Sequence, residues 1–274
     1  MNASSYEQHY YEDPKFPIIF HRDTIVQKEV FVPHWHQSIE ILYFLEGNAV
    51  VMADTEEIKV EAEDVVVVPP NALHKISCTS SRAVYYCLIV GWEFCEAMGL
   101  PMDYLCFKRR ITDVLLCKKI ADLALEFEQK QEYYKTRILS QTLDIMVLIA
   151  RKHSAESAFL LSDRQCVQLE KIKKVFRFIE QHYAEDLTLL RLAEHVGFNK
   201  YYFCHIFKEF TGMTPVEYIN YIRCRKAKEY LSAKGCNVSE TAALCGFDNL
   251  SYFTKIYKKI NGELPSHTQN KNIR

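Results

Sequence analysis

The sequence predicts a multidomain α+β chain: a small β-barrel carrying a helical hairpin, then an all-α domain with two helix-turn-helix units. Three observations predict it. Short β-type segments fill the stretch from Ile18 to Val90, helical periodicity takes over after Thr112, and one short pattern occurs twice between Leu187 and Pro265. At 274 residues the chain has room for about two domains of ordinary size.

Charge is divided between the halves. Residues 1–170 carry 17 Lys+Arg against 25 Asp+Glu, and residues 171–274 carry 17 against 10, so the net charge of −1 hides an acidic front and a basic back. Only the basic half suits a polyanion. No apolar run approaches the ~18 residues of a membrane span, and the polar start lacks the apolar core of a signal peptide. The expected compartment is the cytoplasm, with no membrane partner. The ten cysteines never form Cys-x-x-Cys and are expected to be reduced, mostly buried small hydrophobes.

The barrel is expected over residues 1–110. Ile39, Ile41 and Tyr43 alternate with Glu40 and Leu42, Val65 to Val68 is an unbroken β-branched run, and Ala83 to Val90 is apolar. Within this region His34-Trp35-His36 is followed by Glu40 and Gly47, and Pro69 by His74. Residues two apart on a strand share a face, so His34 and His36 look one way and Trp35 the other.

That spacing resembles the two motifs of the cupin barrel, with Lys28 and Glu63 standing where the fold usually has glycines. By the resemblance, His34, His36, Glu40 and His74 fall on the positions that bind a divalent metal. Three imidazoles and a carboxylate suit zinc, iron, manganese or nickel. The same groups are also read as polar lining of a ligand pocket, or as structural histidines. An effector pocket is expected around His34, Trp35, His36, Glu40, Tyr43 and His74, with Trp35 or Tyr43 as a stacking surface for a sugar ring. No cofactor beyond that divalent metal is expected.

Residues 111–153 read as a helical hairpin. Val114, Leu115, Leu123 and Phe127 mark one helix, Ile138, Leu139, Leu143, Ile145, Met146 and Ile149 the other, and Gln129 to Tyr134 the break between them. The hairpin either covers the barrel or supplies a dimerisation surface. Residues 154–165 are the expected linker, with a helix resuming near Cys166.

The repeat follows, over 166–268. Ala193, Gly197 and Phe198 recur as Ala242, Gly246 and Phe247 at an offset of 49, whereas Phe203, Ile206 and Lys208 recur as Phe253, Ile256 and Lys258 at an offset of 50. Each copy places Ala on one helix, Gly where the chain reverses, and a polar cap two residues later, Asn199 or Asp248. A helix from Pro215 to Ala233 separates the copies, with Tyr218, Ile222, Ala227, Tyr230 and Leu231 as its buried candidates.

Arg223-Cys-Arg225-Lys-Ala227, the run Gly246 to Phe253, and Gly212-Met-Thr-Pro215 resemble the DNA-binding domain of AraC/XylS-type transcription regulators. The cupin-like front half resembles the sensor that such proteins carry. The resemblance implies a non-enzymatic regulator whose two helices enter successive major grooves. Its positions for reading base edges are Tyr201, Cys204 and His205, then Leu250, Ser251, Thr254 and Lys255. Lys255 and His205 can donate to guanine, Ser251 and Thr254 can donate or accept, and Tyr201 and Leu250 can pack on a thymine methyl. Lys200, Lys208, Arg223, Lys258 and Lys259 are assigned to phosphates.

The second unit is therefore expected to read by hydrogen bonds, and the first to lean on shape and phosphates. The implied partners are double-stranded DNA, a small-molecule effector such as a sugar, a second copy in a homodimer, and RNA polymerase for an activator. The alternatives are a metal-dependent cupin enzyme joined to a DNA-binding domain, or a regulator under protein or redox control. At the end Ser266 follows Pro265 where the family has Tyr, and Tyr257 replaces Phe, so the last helix is expected to be short and Gln269–Arg274 to be disordered.

Overall fold

The computed structural model describes residues 5–11, 13, 15–27, 32–100, 107–155, 162–232 and 237–270. The chain divides into a β-rich unit, Tyr6–Ser162, and a helical unit from Asp163 onward.

In the β-rich unit, β1 (Ile18–Val26), β7 (Arg82–Val90), β2 (Ile39–Glu46), β5 (Val65–Val68) and β8 (Arg110–Ile111) form one antiparallel sheet in that order. β4 (Glu56–Val60), β3 (Ala49–Ala53) and β6 (His74–Cys78) form the other. Alternation along the strands sorts the side chains into two cores. Leu42, Phe44, Val66, Val68 and Tyr85 meet Val51, Ile58 and Ile76 of the second sheet in the barrel interior. Ile39, Ile41, Tyr43, Val65 and Val67 point the other way, into a core shared with the hairpin.

Tyr43 is thereby corrected. It lies on the face opposite Glu40, in the core shared with the hairpin, and its hydroxyl donates to Glu63 Oε2 at 3.0 Å. It lines no pocket around Glu40. Glu63 keeps the left-handed backbone of the glycine it replaces, with φ at 71°; Lys28 lies outside the described residues.

A short helix, α1 (Trp92–Ala97), precedes the hairpin of α2 (Val114–Gln129) and α3 (Tyr134–Lys152). Asp113 caps α2 by accepting from the amides of Leu115 and Leu116. This cap fixes where the helix begins. Leu116, Cys117, Ile120, Leu123 and Ala124 are buried, while Val114 and Leu115, expected on the buried stripe, are exposed. On α3 the inward row is Ile138, Thr142, Ile145, Met146 and Ile149.

The helical unit begins at Asp163, before the expected Cys166, so α4 (Asp163–His182) takes up the last residues assigned to the linker, of which 156–161 lie outside the described residues. α5 (Leu189–His195), α6 (Lys200–Thr211), α7 (Pro215–Ser232), α8 (Val238–Leu244), α9 (Leu250–Asn261) and α10 (Pro265–Asn270) follow. Tyr230, expected in the core, is 37% exposed. Six cysteines are buried, Cys204 is half-buried and Cys166 exposed; Cys106 and Cys236 fall outside the described residues.

The repeat holds in three dimensions. The amides of Phe198 and Phe247 donate to the carbonyls of Ala193 and Ala242, each at 2.9 Å. Gly197 and Gly246 have φ of 68° and 79°. The extra residue sits in the second turn: Asn199 caps α6 two positions after its glycine, but Asn249, not Asp248, caps α9, three positions after Gly246. At the end, the buried Tyr257 hydroxyl bonds Thr268 Oγ1 at 2.8 Å, so the polar atom gained by replacing Phe is satisfied. The final helix is short; residues 271–274 of the tail lie outside the description.

The two turn glycines are not equally replaceable. A Cβ on Gly246 would sit 2.7 Å from the Ala184 carbonyl oxygen, whereas one on Gly197 meets only Lys171 Nζ at 3.9 Å. Gly197→Ala is expected to cost about 1 kcal/mol, for the left-handed backbone alone. Gly246→Ala is expected to cost more than about 2 kcal/mol, because the clash adds to that strain. Urea unfolding of the two variants compares them directly.

Candidate functional site

The His-x-His segment and β6 meet through an antiparallel bridge in which the amides of His34 and His74 each donate to the other's carbonyl, at 3.0 and 2.9 Å. Glu40 reaches the same place from β2. The donor atoms of His34, His36, Glu40 and His74 all lie within 4.8 Å of one another. His36 Nε2 is 2.9 Å and His74 Nε2 3.1 Å from the same oxygen, Glu40 Oε2. The thiol of Cys87 points at the other, Oε1, at 3.4 Å.

The far side of each ring defines the chemistry. His36 Nδ1 faces the Ser38 carbonyl and His74 Nδ1 the Ala72 carbonyl, both at 2.9 Å. A carbonyl only accepts, so both Nδ1 atoms carry hydrogen and a neutral ring presents an Nε2 lone pair to Glu40. Two lone pairs and a carboxylate oxygen facing each other require positive charge between them, as protons or as a metal ion. Carbonyl-anchored imidazoles beside a carboxylate are the usual support of metal-ligating histidines.

Burial alone would raise the Glu40 carboxyl, but His74 and His36 outweigh it and hold it well below the usual carboxylate range. His74 is raised, because Glu40 overcomes its burial. His34 is lowered to about 3 by burial and by His74.

Spacing of the motif could not reveal four further residues. His9 stacks on His36 with ring centres 4.5 Å apart, and its Nδ1 is 3.0 Å from Ser38 Oγ. Tyr11 also reaches Ser38 Oγ at 3.0 Å, and Glu7 lies 3.4 Å from His34 Nε2. These contacts join segments distant in sequence. Trp35 is buried, with Tyr6 as its ring neighbour at 6.0 Å.

In the helical unit, α6 and α9 bury Phe203 and Phe253 and turn Tyr201, His205, Leu250, Ser251 and Lys255 to solvent; Cys204 and Thr254 are half-buried. The Thr254 hydroxyl donates to the Leu250 carbonyl at 2.9 Å, so what it offers outward is an acceptor. Lys200, Lys208, Lys258 and Lys259 are exposed. Each of these two helices is anchored by an equivalent tyrosine. Tyr202 Oη accepts from Gln168 of α4, and Tyr252 Oη from Asn220 of α7 at 2.9 Å.

Residues 192–271 match the helix-turn-helix domain family and residues 22–90 the cupin domain family. The chain joins a cupin domain to an AraC-type helix-turn-helix domain. That pairing is the plan of a DNA-binding transcription regulator with a ligand-binding domain. An uncharacterized HTH-type transcriptional regulator of Bacillus subtilis, YdeC, is 24% identical over 92% of this chain and 91% of its own. The HTH-type transcriptional activator Btr of the same species is 24% identical over 80% of this chain and 42% of its own. Among solved structures, ToxT of Vibrio cholerae aligns over 93% of this chain and 98% of its own, with 13% identity and a TM-score of 0.45.

Within this AraC-type domain, Arg223 departs from its expected phosphate role. Its Nε donates to the Tyr183 carbonyl at 2.7 Å and its Nη2 to that of Glu185 at 2.8 Å, and the guanidinium lies over the Phe247 ring. It ties the end of α4 to the second turn. Among the described residues no helix is long and apolar enough to cross a membrane.

His9 gives the site a pH signature. Burial and His36 lower its pKa from 6.5 to about 4. The unfolded chain therefore takes up this proton first, and stability present above pH 6.5 is lost as pH falls toward 4. His9→Asn is expected to flatten that part of the stability curve, measured as thermal midpoints across the range.

Proposed function

We propose that the chain is a promoter-binding regulator whose barrel responds to a ligand held by His34, His36, Glu40 and His74, through coordination to a divalent transition metal. The carrying observation is the pair of Nδ1–carbonyl bonds, which leave the His36 and His74 Nε2 atoms to converge with Glu40. The four side chains would hold the ion. Bound there, it would supply the positive charge that the donors call for and a Lewis-acidic centre for an effector oxygen. Metal analysis of untagged protein is expected to give near-stoichiometric zinc, nickel, iron or manganese; a value near zero after supplementation ends this reading.

A second reading keeps an organic effector, a sugar among them, at the same place without metal. His9, Tyr11 and Ser38 beside the cluster favour it, since they add hydroxyl and imidazole groups to the four. With Tyr43 on the opposite face, stacking on that residue has no part in it. A thermal-shift screen of sugars against protein with and without metal separates the two readings. Activation is the sign we carry over, from the likeness to Btr, with RNA polymerase as the further partner. We also propose a homodimer. Val114 and Leu125, both exposed, are eleven residues apart and so lie on one side of α2.

On DNA, α6 and α9 are assigned to successive major grooves. Lys255→Ala is expected to cost about 1–3 kcal/mol at one guanine position and little elsewhere. Lys208→Ala should weaken all sequences alike and reduce the salt slope by about one unit. Binding titrations on an operator substitution series at two or more salt concentrations check both. Equal loss on every sequence for Lys255→Ala would overturn its role in reading bases.

A further inference from the structure

A ligand held by the cluster can act on the DNA-binding unit through the chain that leads out of the barrel to it. The strip 107–113 occupies that exit. The Lys108 amide donates to the His153 carbonyl at 2.9 Å, and Phe107 bridges Ser154, immediately before the stretch that leads to α4. On the strip's other side the Arg109 carbonyl accepts from the Val67 amide of β5 at 3.0 Å. His153 in addition holds Asp113, the cap of α2, at 2.8 Å.

One side chain of the strip forms an ion pair with the sheet that carries His74. Arg109 Nη2 meets Asp54 Oδ2 at 3.3 Å, and its Nε lies 3.8 Å from Glu56 Oε2. Asp54 in turn grips the residue next to His74 from both sides. Its amide donates to the Leu73 carbonyl at 2.6 Å, and its Oδ1 accepts from the Leu73 amide at 2.9 Å. In the sheet, Ala53 is the register partner of His74. The line from ligand to exit is thus His74, Leu73, Asp54, Arg109, Lys108, His153.

Stability is a poor reason for this pair. Both side chains are about nine-tenths buried, and Arg109 Nη1 has no hydrogen-bond partner. A buried ion pair gains little over an apolar pair of the same size, and a buried unpaired N–H is a net cost. A Met at 109 with an uncharged residue at 54 would fill the same space without it.

We propose that Asp54 and Arg109 are positioning residues that couple the state of His74 to the strip 107–109, and so to the segment entering the DNA-binding unit. The proposal rests on reading the cluster as the effector site. With His74 held, Asp54 is fixed at Leu73 and presents Oδ2 to Arg109, and the strip stays docked against Val67 and His153. With His74 released, Asp54 loosens and the strip with it.

A double-mutant cycle on the full chain tests this, with His74→Ala as the input and hydrogen exchange of the Lys108 and Val67 amides as the output. His74→Ala alone is expected to speed exchange at both by about fivefold or more, the lower end of couplings between sites. In an Arg109→Met background it should add little, while amides of β1 stay unchanged throughout. Equal acceleration in both backgrounds, or none from His74→Ala alone, would overturn the proposal. If Arg109→Met fails to fold, Asp54→Asn takes its place in the cycle. Metal content measured on the same samples keeps the two readings apart, because a metal-free wild type removes the metal while the cycle still reports coupling.

Discussion

A carboxylate with almost no access to water is the constraint around which the β-rich unit is arranged. Glu40 is 5% exposed on a strand whose neighbouring inward residues, Leu42 and Phe44, are apolar. An isolated charge there would be prohibitively expensive. What offsets that cost is the positive charge, proton or metal, shared where two imidazole Nε2 atoms converge on one oxygen, with a thiol meeting the other. The imidazoles are themselves fixed, each by a carbonyl two residues away in sequence. The site is rigid because each group exhausts the freedom of the next.

The helical unit solves a different problem, presenting two unlike surfaces on one scaffold. Phe203 and Phe253, the Ala–Phe backbone bonds at the turns, and the tyrosines anchored to the preceding long helices recur in both copies. What varies faces outward: Lys200, Tyr201, Cys204 and His205 against Leu250, Ser251, Thr254 and Lys255. Buried positions are held by packing, in which a methylene is felt, whereas exposed ones are free to diverge. A repeat detected through its core therefore marks where to look for specificity without describing it.

That asymmetry also explains how far the sequence could be read. The Val65–Val68 run, the His34/His36 spacing and the paired glycines each depend on periodicity within a short window, and local backbone geometry turns them into strands, a shared face and turns. Contacts across the chain leave no such trace. His9 and Glu7 reach the cluster from a segment with no regular period, and Arg223 looks like any surface arginine until the Tyr183 and Glu185 carbonyls are placed beside it. Tyr43 obeys the same local rule: three residues from Glu40 on one strand, it faces the other side of the sheet, whatever use an aromatic surface would have beside the cluster.

The extra residue in the second turn shows how local and distant constraints meet. Gly246 lies so close to the Ala184 carbonyl that the chain cannot carry a side chain there, and Arg223 braces the same region from α7 by stacking on Phe247. The first turn is met by a flexible side chain instead of backbone: Gly197 faces the end of Lys171, whose ammonium lies over the Phe198 ring. With its glycine pressed against another segment, the second turn places an added residue, Asp248, before its cap, and the register of α9 is reset by Asn249. Offsets of 49 and 50 are thus the sequence imprint of a turn whose glycine meets a backbone carbonyl in one copy and only a side-chain end in the other. α9 begins one residue later, yet its inward phenylalanine and its capped first turn are recovered, because both are counted from the cap: Phe203 and Phe253 each stand four residues after their Asn.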